Sequence, residues 1–136
     1  MARQGFPGIW QLNREKSDIP PVTKSQVPEI KTDGVLVAMR ETLVNDKGET
    51  LTIAVDGKFD GMDYPVTGTP FADTVSYRLR APNTIEGVAK KGGVVVVKET
   101  AVLADDGMSV SVTYVSFDGE GKSYVNHGVF ERVARQ

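Results

Sequence analysis

The chain has 136 residues, 16 Lys and Arg against 18 Asp and Glu for a net charge of −2, a single His, a single Trp and no Cys. Without cysteine there can be no disulfide scaffold, thiolate metal site or cysteine nucleophile, and one His would need three carboxylates beside it to complete a tetrahedral zinc site, so neither a metal nor another cofactor is expected. Basic residues dispersed along a slightly acidic chain leave no footprint for nucleic acid, and no uninterrupted apolar run approaches the ~20 residues of a membrane helix.

At this length one domain over residues 1–136 with a real hydrophobic core is expected. Valine occurs 20 times and threonine 11 times against six leucines. Val and Thr suit a half-buried pleated surface, whereas helices favour Leu and Ala, so the composition already points to β structure.

In chain order, Met1 to Pro7 contains no apolar stretch of signal-peptide length. The chain as written is therefore expected in the cytoplasm, although the mature form of a periplasmic or secreted protein would read the same. Gly8 to Leu12 opens the first strand. Arg14 to Thr32 contains Pro20, Pro21 and Pro28, which forbid a helix, and reads as an extended connection wrapped over the domain. Val35 to Val44 is a strand whose two faces each carry one charge, Glu41 or Arg40. From Leu51 to Phe59, the residues Leu51, Ile53, Val55 and Phe59 share a face opposite Thr52 and Lys58. Val75, Tyr77 and Leu79 oppose Ser76, Arg78 and Arg80, and Met108, Val110, Val112 and Tyr114 oppose Ser109, Ser111 and Thr113. Alternation of period two means one face buried and one wet.

The strand Val94 to Leu103 is apolar on both faces apart from Lys98 and Glu99, which suggests that something covers its outer side, either a second subunit in a homodimer or the proline-rich connection. Asp-Gly and Asn-Gly chemistry such as Asp33-Gly34, Asn45 to Gly48, Asp105 to Gly107 and Asp118 to Gly121 recurs roughly every 8 to 14 residues and reads as hairpin turns. About eight to ten such strands without covering helices must bury one face, and consecutive hairpins favour closure into a single antiparallel up-and-down β-barrel. A barrel of about eight strands leaves room for its own side chains or for one small ligand.

Three segments carry a resemblance. Gly8-Ile9-Trp10-Gln11-Leu12 resembles the Gly-x-Trp opening of lipocalins and intracellular fatty-acid-binding proteins, and Val129-Phe130-Glu131-Arg132-Val133 resembles the last strand of the latter. Phe59 to Gly68, followed by Asp73-Thr74-Val75, is similar to a set of small lipocalin-like bacterial proteins of uncharacterised function. The resemblance spans roughly Phe6 to Val133 and implies a calycin-type, lipocalin-like barrel, with the Trp closing its base. It departs from the fatty-acid-binding proteins in two respects. The prolines forbid their lid helices, and the positions matching their carboxylate-gripping Arg and Tyr hold Gly128 and Phe130, so carriage of a free fatty acid by that device is not expected.

The interior polar candidates follow from parity. Tyr77 and Tyr114 fall on apolar faces, where a buried hydroxyl needs a partner that a ligand can supply. Either Glu41 or Arg40 points inward, giving a base of raised pKa or an anion anchor, and the same alternative recurs at Glu99 and Lys98. His127 is the only residue of a type whose unperturbed pKa lies near neutrality. Apolarity would turn its face inward with Val125 and Val129, while the resemblance would turn it out. Phe59, Tyr64 and Phe130 complete the expected ligand contacts, with Tyr64-Pro65 a loop at the barrel mouth. The acidic turns lack the oxygens of a calcium loop. The expected function is binding of a small, largely apolar or aromatic molecule in the lumen. The alternative is a cofactor-independent isomerase, cyclase, dehydratase or lyase with Glu41 or His127 as base and a Tyr stabilising an oxyanion.

Overall fold

A computed structural model describes residues 5–20 and 23–133. Ten strands form one closed antiparallel barrel: β1 (Gly8–Leu12), β2 (Thr23–Thr32), β3 (Leu36–Asn45), β4 (Thr50–Lys58), β5 (Tyr64–Thr67), β6 (Thr74–Ala81), β7 (Thr84–Lys91), β8 (Val94–Leu103), β9 (Ser109–Phe117) and β10 (Ser123–Arg132). Each pairs with its sequence neighbours, and β1 closes the ring by pairing with both β2 and β10. The fold is therefore all-β and up-and-down. The described residues contain no helix longer than the 3₁₀ turn Arg14–Lys16, and hence none able to cross a membrane.

The turns form because short polar side chains replace backbone partners. The Asn45 Oδ1 accepts from the N–H groups of Lys47 and Glu49, and the Asp118 Oδ1 from those of Glu120 and Lys122, each at 2.9 Å. At Gly68, φ is +87° and a Cβ would sit 1.7 Å from the Thr52 carbonyl oxygen, so only glycine allows the chain to leave β5 so close to β4.

One expectation is corrected. The segment expected to wrap over the domain is an integral barrel strand, because β2 is ten residues long and runs in register with β3 from Ser25–Val44 to Thr32–Val37. Its Pro28 lies just past the last β1–β2 pair, Ile9–Glu29, where β2 is paired on one side only and a missing N–H is tolerated. The run Val94 to Val97 reads as apolar on both faces because it crosses a register shift, Ala89 pairing with Val97 but Lys90 with Val95. Val94 and Val102 on that strand remain exposed at 66% and 39%.

One end of the barrel is plugged. Trp10 is 1% exposed, donates its indole N–H to the Phe6 carbonyl at 2.9 Å, and packs with Phe6, Leu12, Ile85, Leu103, Val110, Val112 and Phe130. The Arg132 guanidinium lies 4.3 Å from the Trp10 ring centroid and donates to the carbonyls of Gly107 at 3.0 Å and Pro7 at 2.9 Å. This latch joins the first strand, the last strand and the β8–β9 turn.

Candidate functional site

Above that plug lies a cavity of about 130 Å³. Its apolar wall includes Phe6, Trp10, Val37, Met39, Ala101 and Phe130, and its polar lining consists of Gln26, Glu41, Glu99, Tyr77 and Tyr114. No Lys, Arg or His is among the lining residues. Among the described residues, no three His, Asp or Glu side chains cluster as a metal site.

Strand register assembles the polar groups. Tyr77 stands opposite Gly87, Gly87 opposite Glu99, and Glu99 opposite Tyr114, so one row crosses β6, β7, β8 and β9 on the inner face. Across the lumen, Glu41 on β3 stands between Pro28 and Ile53. The glycine in the row has a steric reason, since a Cβ at Gly87 would sit 3.3 Å from Tyr77 Cε1. The Tyr77 ring thus lies over the bare backbone. Gly128 makes similar room on β10, where a Cβ would meet Phe130 at 3.2 Å and Tyr114 at 3.5 Å.

Gln26 ties the two sides together. Its amide Nε2 donates to Glu41 Oε2 at 2.5 Å and lies 3.5 Å from the Tyr114 hydroxyl. Glu99 and the Tyr77 hydroxyl have no hydrogen-bond partner among the described side chains and keep their polar atoms toward the cavity. Burial raises the pKa of Glu41, and the Gln26 hydrogen bond partly offsets that rise. Burial and then the charge of Glu41 push Glu99 up to about 7. Burial and the two carboxylates, Glu99 before Glu41, hold both tyrosine hydroxyls far above the usual phenol range, so both stay protonated donors. Near neutrality Glu99 is therefore partly protonated, beside a second carboxyl whose pKa burial also raises.

Of the residues singled out from the sequence, Tyr77, Tyr114, Glu41, Glu99 and Phe130 line the cavity. The others lie elsewhere, for identifiable reasons. Arg40 has the opposite parity from Glu41 and pairs outside the barrel with Asp56 at 3.1 Å, so it is no anion anchor for the lumen. His127 faces outward, its side chain 59% exposed and its Nδ1 3.4 Å from Asp18 Oδ2, so it cannot act as a base in the cavity. The inner face of β10 is that of Gly128 and Phe130, because Gly128 pairs with Val112 and Phe130 with Val110. Phe59 supports the wall from behind, edge-on to Tyr77 with ring centroids 6.5 Å apart. The Tyr64 ring covers Gly57 and its hydroxyl donates to Asp60 at 2.6 Å, outside the cavity lining. Gln26 was not anticipated, since the prolines around it concealed a strand. The alternation of Pro28 and Ile30 against Glu29 and Lys31 was the signal available, interrupted by Val27 on the polar face.

No known protein-family model matches the chain, and no curated protein matches it.

Proposed function

We propose that this protein is a calycin-type binding module that holds one small, largely apolar molecule in its cavity. The observation that carries the reading is an apolar chamber with five polar groups gathered on one inner belt, the composition of a site that encloses a ligand body and orients it by a few directed contacts. The Trp10–Arg132 latch and the consecutive strand order support the calycin reading. The chamber sets the size, because a cavity of about 150 Å³ lined by aliphatic and aromatic side chains takes up benzene. A single ring fits the about 130 Å³ available, whereas a long acyl chain does not. The test is thermal unfolding with toluene and singly substituted one-ring compounds. At a hundredfold excess over Kd a bound ligand adds about 2.7 kcal/mol, seen as a rise of several degrees in Tm. Ala101→Leu, which fills the chamber, is expected to remove the rise. If no compound of this size moves Tm, the reading fails.

A second reading, proton transfer without a cofactor, is favoured by Glu99, whose carboxyl titrates at about 7 beside two protonated tyrosines. Glu99 would take a proton from carbon next to a carbonyl, with a tyrosine hydroxyl donating to the developing oxyanion. The measurement is exchange of α-hydrogens of one-ring ketones in heavy water. Exchange above the buffer rate that disappears in Glu99→Gln supports it, and exchange at the buffer rate rejects it.

A further inference from the structure

We infer that the ligand of this cavity is a cation, a protonated amine on a body about the size of one ring, held by the carboxylates of Glu41 and Glu99 with the Tyr77 and Tyr114 rings around it. This inference rests on the proposal that the cavity holds a small molecule and adds the charge of that molecule.

Charge balance makes the first argument. Two carboxyl groups are directed into one chamber, and no Lys, Arg or His lines it. The cations adjacent in sequence are turned away: Arg40 is paired with Asp56 on the outer surface, and Lys98 is exposed. Buried carboxylates ordinarily come with a cation or a full set of donors, because an uncompensated buried charge is costly. Here the one amide donor, from Gln26, goes to Glu41, and Glu99 receives no donor from a described side chain.

Donor chemistry makes the second. An ammonium group carries three N–H donors and no acceptor. The belt presents the complement: the second oxygen of Glu41, both oxygens of Glu99 and the hydroxyl oxygens of Tyr77 and Tyr114. A carboxylate ligand would meet like charge on two sides, so the same pair that attracts an amine excludes an acid of equal size. The aromatic lining, Trp10, Tyr77, Tyr114 and Phe130, adds ring faces of the kind that stabilise organic cations.

Binding must then be linked to proton release. The titratable groups facing Glu99 are Glu41 from β3, Tyr77 from β6 and Tyr114 from β9, while Gly87 faces it from β7. Of these, Glu99 changes charge near neutrality. An amine that needs Glu99 ionised displaces its proton at acid pH, so affinity should fall by up to about tenfold per pH unit below about pH 7.

Calorimetry and thermal shift with benzylamine, benzyl alcohol and toluene at pH 7.5 test this. The expected result is benzylamine binding at least about tenfold tighter than benzyl alcohol. Glu99→Gln and Glu41→Gln should each abolish that preference, and the enthalpy at pH 6 should vary with the ionisation heat of the buffer. Equal affinity for benzylamine and benzyl alcohol, or a preference that survives in both variants, overturns the inference. If toluene or the alcohol still binds, the chamber reading stands and only the charge assignment falls; if none of the three binds, both fall. Should Glu41→Gln not fold, the Glu99→Gln comparison and the buffer-dependent enthalpy of the unaltered protein decide.

Discussion

Glu99 is in an unusual position for a carboxylate: central in a strand, facing a chamber, opposite an aromatic residue and next to another acid's charge. Its pKa of about 7 in the folded state lies above the value in an unfolded chain, about 4.3. The native state therefore binds the extra proton between those two values, and stability falls as pH rises from about 4.3 through 7. The loss attributable to this residue is about 4 kcal/mol. Glu41, also raised, acts in the same direction. Glu99→Gln, an isostere of the protonated acid, is expected to match the parent protein at pH 4.5 and to exceed its stability at pH 8. Urea unfolding at the two pH values measures this, and a variant less stable at pH 8 would contradict it. The alternation around Tyr77 and Tyr114 was strong enough for their inward direction to be read from sequence. Adjacent charges at Arg40–Glu41 and Lys98–Glu99 were not, because consecutive residues on a strand point to opposite sides and both faces around them are apolar. His127 was ambiguous for a related reason, since Gly128 contributes nothing to the apolarity of the true inner face.

The strands differ in how firmly they are held. β8 and β9 share seven consecutive register pairs, whereas β5 has four residues and only two pairs on each side. Few paired amides and a short span make a segment open at lower free energy than the global transition. Hydrogen exchange is expected to be fastest at β5 among the strands and slowest at the centre of β9, and equal protection in both would show the ring to be uniformly cooperative. Tyr64, whose ring covers Gly57, restrains this seam, so Tyr64→Ala should accelerate exchange in β5 and β4 without affecting β9. Element legibility followed local chemistry. Hairpins built on Asp and Asn turns were readable because one side chain determines each turn. β2 was not, since its prolines argue against a helix and equally obscure a strand whose tolerance of Pro28 depends on where β1 stops pairing.

At the scale of the molecule, closure depends on a seam distant in sequence. β1 and β10 meet through three register pairs, Trp10–Arg132, Gln11–Glu131 and Leu12–Phe130, so the ring is completed only when the two ends of the chain come together. Arg132 reinforces that seam with its ring contact to Trp10 and its bonds to the carbonyls of Gly107, Pro7 and Gly5. Arg132→Met should cost about 2 to 4 kcal/mol, the combined loss of a desolvated cation–π contact and charge-assisted hydrogen bonds. Denaturant midpoints measure it, and a change under about 0.5 kcal/mol, the range of an ordinary surface substitution, would show the seam to be held by strand pairing alone. That the chain forms a barrel was readable from its turn spacing, because successive hairpins leave few other ways to remove sheet edges. The chamber inside was not, because its volume depends on how Phe6, Trp10 and Phe130 fill one end while Gly87 and Gly128 leave room beside the tyrosines.

The plug also gives the molecule an optical property. Trp10 is the only tryptophan in the sequence, it is sealed from water, and its indole is part of the chamber wall. Its emission therefore arises from a single fluorophore at a single depth, with a guanidinium fixed on one side and whatever occupies the lumen on the other. Occupancy can be followed in the unlabelled protein as a change in intensity or wavelength. Solvent entering at the latch would shift the same signal to the red, which distinguishes a filled chamber from an opened one.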